Sequence, residues 1–287
     1  MSFTGSPTFT IPLLAVDISF YRLFLILALC VTVAAAIWSV KKSGLDFKRA
    51  SWTLAAAALT FFVGARLFNI IIRPELYLEQ PWRLWSLDAS GFSLYGGILL
   101  AAVSVILLSS RGSKPKPKQS IDCHAQTVDG VIRDDNFIWK FGDAVAPAFG
   151  LGLAVMRVGC FLNGCCFGRP TNLPWGIEYP LFSDAHFWQL SRGLTDAFTV
   201  LPVHPTQLYE LAYSFAGAVL AYWLWRKKLT PGTAILSFAL WLTVFRLLNH
   251  FLRAFPYATS VTDCLYPAFY LALIAACGWL LYRKLAK

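Results

Sequence analysis

Long apolar stretches alternate with short polar ones along the whole chain, and the repeat length is close to a membrane crossing. Seven apolar runs cover residues 13–40, 51–72, 93–110, 141–162, 206–225, 231–252 and 261–282. About 20 apolar residues in a helix span a hydrocarbon core of roughly 30 Å, so each run predicts a transmembrane helix. The expected fold is therefore an all-α integral membrane protein, a single polytopic domain over 1–287. Residues 163–203 form the longest polar interruption and predict a small outer cap. Residues 74–90 mix aromatic, leucine and charged side chains, the make-up of a short helix lying in the headgroup layer. Residues 111–140, with their Lys/Pro alternation, predict a loop.

Composition agrees, at 57% hydrophobic and 14% charged. The net charge of +10 reports orientation rather than nucleic acid. With the N-terminus outside, the inner segments hold 16 Lys/Arg, among them Lys41, Lys42, Lys48, Arg49, Lys227 and Lys228. The outer segments hold only Arg73, Arg83, Arg169, Arg192 and Arg253. Basic residues accumulate on the cytoplasmic side, so the expected topology is N-terminus out and C-terminus in, with 111–140 cytoplasmic. Met1–Thr10 lacks a basic n-region, and the first run is read as a retained span.

Against this background the intramembrane polar residues stand out. A cation at the bilayer centre costs about 2.5–3.5 kcal/mol on insertion scales, so it is paired, solvated or functional. Arg66, Arg157 and Arg246 lie within runs, and Asn69 shares a helical face with Arg66. Tyr21 sits about one turn into the first run, where snorkelling is an equally good reading. Glu210 is the clearest intramembrane carboxylate, too little to neutralise three arginines. A missing anion of lipid-phosphate type would complete the balance. Arg246, His250 and Arg253 stack on one face, with Arg253 expected at the interface.

The segment Arg157-Val158-Gly159-Cys160-Phe161-Leu162-Asn163-Gly164-Cys165-Cys166-Phe167-Gly168-Arg169 concentrates the remaining chemistry. Its cysteines lack the two-plus-two spacing of a closed zinc site, so no metal is expected. Disulfide pairing on an oxidising outer face, an acyl-carrying nucleophile and plain packing are the other readings. His204-Pro205 opens the fifth run, followed by Gln207, Tyr209 and Glu210.

Taken in order, Tyr21, Gly64-Ala65-Arg66, Tyr95-Gly96-Gly97, Asp143 with Pro147, Arg157-x-Gly159 through Gly168-Arg169, Trp175-Gly176, His204-Pro205-x-Gln207-Leu208-Tyr209-Glu210 and Arg246 resemble the bacterial prolipoprotein diacylglyceryl transferases. The resemblance implies seven spans in the inner membrane and no cofactor. It implies transfer of a diacylglyceryl group from phosphatidylglycerol to the lipobox cysteine of a prolipoprotein, with release of glycerol-1-phosphate. Arg157, Arg246, Tyr95 and His250 are the expected catalytic residues. Tyr21, Arg66, Gly96, Gly97, Asn163, Gly168, His204, Gln207, Tyr209 and Glu210 are expected to bind substrate. Glu210 is expected to orient an arginine, and the base to be His250 or Tyr95, then His204. Four positions depart from the family's usual residues: Tyr95 for His, Cys160 for Asn, Cys165 for Glu and His250 for Glu. These leave another thiol or hydroxyl acceptor, or a non-catalytic lipid-binding or transport protein, as alternatives.

Overall fold

The computed structural model describes residues 8–11, 16–72, 74–79, 81–82, 94–110, 136–255 and 261–286. Most of the expected 111–140 loop, and residues 83–90 of the expected interfacial helix, lie outside them. Helices α1 (Phe20–Lys42), α2 (Phe47–Ile72), α4 (Leu94–Ser110), α5 (Phe137–Leu162), α7 (Thr206–Arg226), α8 (Thr233–Leu252) and α9 (Tyr266–Leu285) fall on the seven apolar runs. The shorter α3 (Pro74–Glu79) and α6 (Asp184–Ser191) lie between them.

Among the described residues, five helical segments are long and apolar enough to cross a membrane: Phe20–Lys42, Phe47–Ile71, Phe137–Leu162, Thr233–Leu252 and Asp263–Leu285. The apolar part of α4, Gly96–Leu108, is shorter. Helix α7 is not among them, since its first turns carry Thr206, Gln207, Tyr209 and Glu210. Large apolar side chains such as Ile26, Leu59, Ile71, Leu99 and Phe251 stand exposed on the helices, as lipid-facing residues do.

Two boundaries differ from the hydropathy reading. The first run is not helical from residue 13: Val16–Ser19 pairs antiparallel with Thr8–Ile11, and α1 begins at Phe20. Val16-Asp17-Ile18-Ser19 alternates apolar and polar residues, a strand period that hydropathy averaging hides. Helix α5 starts at Phe137, so the last residues of the expected loop are helical.

The chain forms two compact units, one of residues 1–39 and 142–287, the other of Val40–Phe141. In the second, α2 and α4 pack backbone to backbone. A Cβ on Gly64 would lie 2.6 Å from the Leu100 Cβ, and one on Gly97 would lie 2.7 Å from the Phe61 ring. Gly96 meets Phe68 and the Gly64 carbonyl in the same way. The Tyr77 hydroxyl, on α3, donates to Asn69 Oδ1 at 2.6 Å and accepts from Arg66 at 3.5 Å. Arg66 and Asn69 do share a face.

In the first unit, glycines again set helix spacing. Gly159 of α5 faces Phe24 of α1, and Gly150 of α5 faces Ala218 and Phe238 of α7 and α8. Asp143, near the start of the fourth apolar run, lies well inside α5, which begins at Phe137. Its carboxylate accepts from the N–H groups of Gly232, at 2.6 Å, and Ile235, at 2.8 Å. It thereby caps α8, whose own N-cap residue, Gly232, offers no side chain. Asp143→Ala should lower stability by about 1–2 kcal/mol, read as earlier thermal unfolding in detergent, with α8 losing amide protection from its N-terminal end.

The expected cap, 163–203, is held by buried polar groups. His186 is fully buried, its Nδ1 accepting from the Phe182 N–H at 3.0 Å and its Nε2 lying 3.0 Å from the Asp196 carbonyl. That pattern selects the neutral ring protonated on Nε2. Gln189 bonds the Leu201 backbone through both amide atoms, at 2.9 Å each. Phe167, Ala185, Val203 and Ala254 form the apolar centre beneath.

Candidate functional site

Helix α5 ends in a way its sequence dictates. Gly164 adopts φ +67°, where glycine pays no Cβ penalty. The Cys165 N–H reaches back to the Cys160 carbonyl at 3.2 Å, and the Gly164 N–H to the Phe161 carbonyl at 3.1 Å. These six-to-one and five-to-two bonds are a Schellman cap, a motif that brings the side chains of its third-last helical residue and of the residue after the glycine together. Here those two residues are Cys160 and Cys165. Cys166 then takes φ +64°, an uncommon conformation for a residue with a side chain. All three sulfurs end within 4.8 Å of one another, and all six described cysteines are unbridged.

The loop is fixed from α7. Gln207 Nε2 donates to the Cys165 carbonyl at 2.7 Å and to the Tyr179 hydroxyl at 3.0 Å. Thr206 Oγ1 donates to the Cys166 carbonyl at 2.7 Å. Main-chain bonds continue the join: Gly168 N–H to His204 O, His204 N–H to Arg169 O, Arg169 N–H to Leu252 O, and Ala254 N–H to Phe167 O, all between 2.7 and 3.1 Å. A Cβ on Gly168 would lie 2.5 Å from the His204 Cβ, so this approach requires glycine.

Glu210 lies one turn beyond Gln207 on the same face of α7, 3% exposed. Its carboxylate is the meeting point of three guanidiniums. Arg157 of α5 pairs through Nε with Oε2, and Arg246 of α8 through Nη1 with Oε1 at 2.8 Å. Arg253, at the end of α8, lies 3.7 Å from Oε1. Glu210 carries one negative charge among these three positive ones. Arg157 Nη1 also lies 3.6 Å from Cys160 Sγ.

This geometry extends one expectation and corrects another. Glu210, expected to orient an arginine, pairs with Arg157 and also with Arg246. Arg253 is a member of the cluster rather than an interfacial bystander. The signal was present in the 246, 250, 253 spacing, which stacks these residues on one face of α8.

The other expected residues fall in several places. Tyr21, in the first turn of α1, lies within electrostatic reach of Arg157 and the three cysteines. Asn163 occupies the last turn before the cap, its N–H bonded to the Gly159 carbonyl at 3.0 Å. His204 and Tyr209 neighbour each other, their ring nitrogen and hydroxyl 3.4 Å apart, with Trp175 Nε1 donating to that hydroxyl at 2.7 Å. Partial burial lowers the basicity of His204 from its ordinary range. His250 is buried beside Phe255, with ring centroids 4.7 Å apart, and close to Tyr266 and Tyr270. Arg66, Tyr95, Gly96 and Gly97 belong to the second unit, where Gly96 and Gly97 touch α2 directly.

Tyr179 and Asn249 escaped the sequence reading. Asn249 donates to the Thr206 carbonyl at 3.3 Å. Its Oδ1 and the Gln207 Oε1 are buried acceptors with no hydrogen-bond partner among the described residues. An arginine trio bordered by unmatched buried acceptors suits a ligand with both an anionic group and hydroxyl donors.

A model of the prolipoprotein diacylglyceryl transferase family matches residues 8–138 and 125–282. A phosphatidylglycerol–prolipoprotein diacylglyceryl transferase of Bifidobacterium adolescentis is 28% identical over 242 residues, covering 80% of this chain and 64% of that protein. Proteins of the same description from Pseudomonas fluorescens, 28% identical, and Clostridium tetani, 29% identical, align over 67% and 68% of this chain. The alignments cover 59% and 64% of those two proteins, so the chain spans about three-fifths of the length of the relatives it matches. With both halves of the chain matched, it belongs to the prolipoprotein diacylglyceryl transferase family.

Proposed function

We propose that this protein transfers a diacylglyceryl group from phosphatidylglycerol to an acceptor thiol, the lipobox cysteine of a prolipoprotein. The reaction takes place at the outer leaflet of the bacterial inner membrane. The observation that carries the reading is the convergence of Arg157, Arg246 and Arg253 on Glu210. Glu210 holds the guanidiniums in fixed directions, and they hold the lipid phosphate.

In the reaction the acceptor thiol gives up its proton and its sulfur attacks the glyceryl carbon that bears the phosphate ester. A C–S bond forms, the C–O bond breaks, and the electron pair leaves on glycerol-1-phosphate. Negative charge builds on the departing phosphate, where preorganised guanidiniums stabilise it. His250, one turn from Arg246 on α8, and Tyr95, in the first turn of α4, are the residues proposed to take the proton, with His204 third. In the first unit Tyr21, Asn163, Gly168, Gln207 and Tyr209 are the further residues proposed to bind substrate, and in the second unit Arg66, Gly96 and Gly97 are.

The proposed topology is seven spans with the N-terminus outside, which places 163–203 in the outer compartment and 226–230 in the cytosol. Cysteines introduced at Ser191 and Lys228 test it with an impermeant maleimide on intact cells. Ser191→Cys should label and Lys228→Cys should not; the reverse pattern means an inverted protein.

The activity is tested by incubating purified protein with phosphatidylglycerol labelled in the headgroup and a lipobox peptide. Water-soluble glycerol phosphate should appear together with a lipidated peptide. Failure to release it, combined with failure to rescue a transferase-depleted bacterium, would leave a lipid-binding protein instead.

A further inference from the structure

We propose that Cys160, Cys165 and Cys166 form a binding site for a thiophilic cation, with Zn(II) the probe of choice. The three sulfurs lie within 4.8 Å of one another. With Zn–S bonds of about 2.3 Å, a tetrahedral site needs sulfurs roughly 3.8 Å apart, within a small adjustment of this arrangement. Among the described residues no His, Asp or Glu joins the group, so the protein supplies three ligands and one position stays open.

The backbone is built for this convergence. The Schellman cap brings Cys160 and Cys165 together, and Cys166 keeps its sulfur with theirs in a left-handed conformation that glycine or asparagine would adopt more readily. Mere packing gives no reason to keep a cysteine there. The loop carbonyls at 165 and 166 are tied to Gln207 and Thr206, which fixes the sulfurs before any ion arrives.

Electrostatics point the same way. Arg157 Nη1 stands 3.6 Å from Cys160 Sγ, placed as an N–H···S donor. Guanidiniums favour thiolates over thiols. Zn(II) with three thiolates carries one net negative charge, a fitting neighbour for the arginine trio. The three thiol protons leave to solvent on binding, so uptake weakens as the pH falls.

The inference stands on the cysteine geometry and not on the proposed transfer, and its readout is metal content rather than activity. Protein purified under reducing, metal-free conditions is titrated with Zn(II) in competition with a chromogenic chelator, then with Co(II). The expected result is one Zn(II) per chain and a thiolate-to-cobalt charge-transfer band. Cys160→Ser, Cys165→Ser and Cys166→Gly should each weaken binding by more than the ~10–100-fold that loss of a supporting partner costs. Cys264→Ser should change nothing. Cys166→Gly also relaxes the backbone, so it is expected to fold, and thermal unfolding of each variant confirms that the comparison is fair. No uptake by the reduced protein, or equal uptake by the folded Cys166→Gly variant, would overturn the site. Mass spectrometry showing that two of the three remain disulfide-bonded under these conditions would overturn it as well.

Discussion

Glu210→Gln should be the most destabilising single change in the protein. The side chain is 3% exposed, and Arg157, Arg246 and Arg253 all point at it. Removing one partner of a buried ion pair costs about 3–5 kcal/mol, because the remaining charge is left in a poorly solvating environment. Here three charges lose a shared partner at once, while glutamine keeps the volume. The expected phenotype is poor yield and thermal unfolding far below the parent in the same detergent. Adding Arg157→Met to Glu210→Gln removes one of the orphaned charges and should recover part of the loss. A Glu210→Gln protein as stable as the parent would show that the carboxylate is not the hub of the cluster.

Arg157→Lys and Arg246→Lys should each fold and yet lose lipid turnover by about 10²-fold or more, the scale seen when one donor to a developing charge is removed. Lysine keeps the positive charge near Glu210. It loses the planar fork, which binds a carboxylate and a phosphate at the same time through different N–H groups. Arg253→Lys should now also matter, since Arg253 shares Glu210 with the other two. The measurement is release of labelled glycerol phosphate by the three single variants beside the parent. Near-normal release by both Arg157→Lys and Arg246→Lys would remove these side chains from the mechanism.

Helix positions were readable from the sequence because membrane burial demands long apolar runs, and a window of residues averages out local detail. The same averaging erased the strand at Val16–Ser19. Individual polar residues were legible in kind, since an arginine in an apolar run needs a reason. Their partners were not. Arg157 and Glu210 are 53 residues apart in sequence, and only the packing of α5 on α7 reveals that one carboxylate serves several arginines. Gly96 and Gly97 show another limit: a glycine pair beside a tyrosine allows close helix packing and room for a ligand alike, and the contact with α2 is seen only in the fold. Cys160 and Cys165 could have been joined from sequence alone, because Asn163-Gly164 after a helix is the signature of the cap that brings them together.

The join between the ends of α5 and α8 and the start of α7 consists largely of peptide groups. Gly168, Arg169, His204, Leu252 and Ala254 meet through N–H and C=O groups, with Gly168 held to glycine and Ala254 packed in the apolar centre. Such a frame is indifferent to most substitutions within it. The polar groups around the arginines can therefore be exchanged while the scaffold persists. New chemistry can be tried here by mutation without first solving the folding problem again.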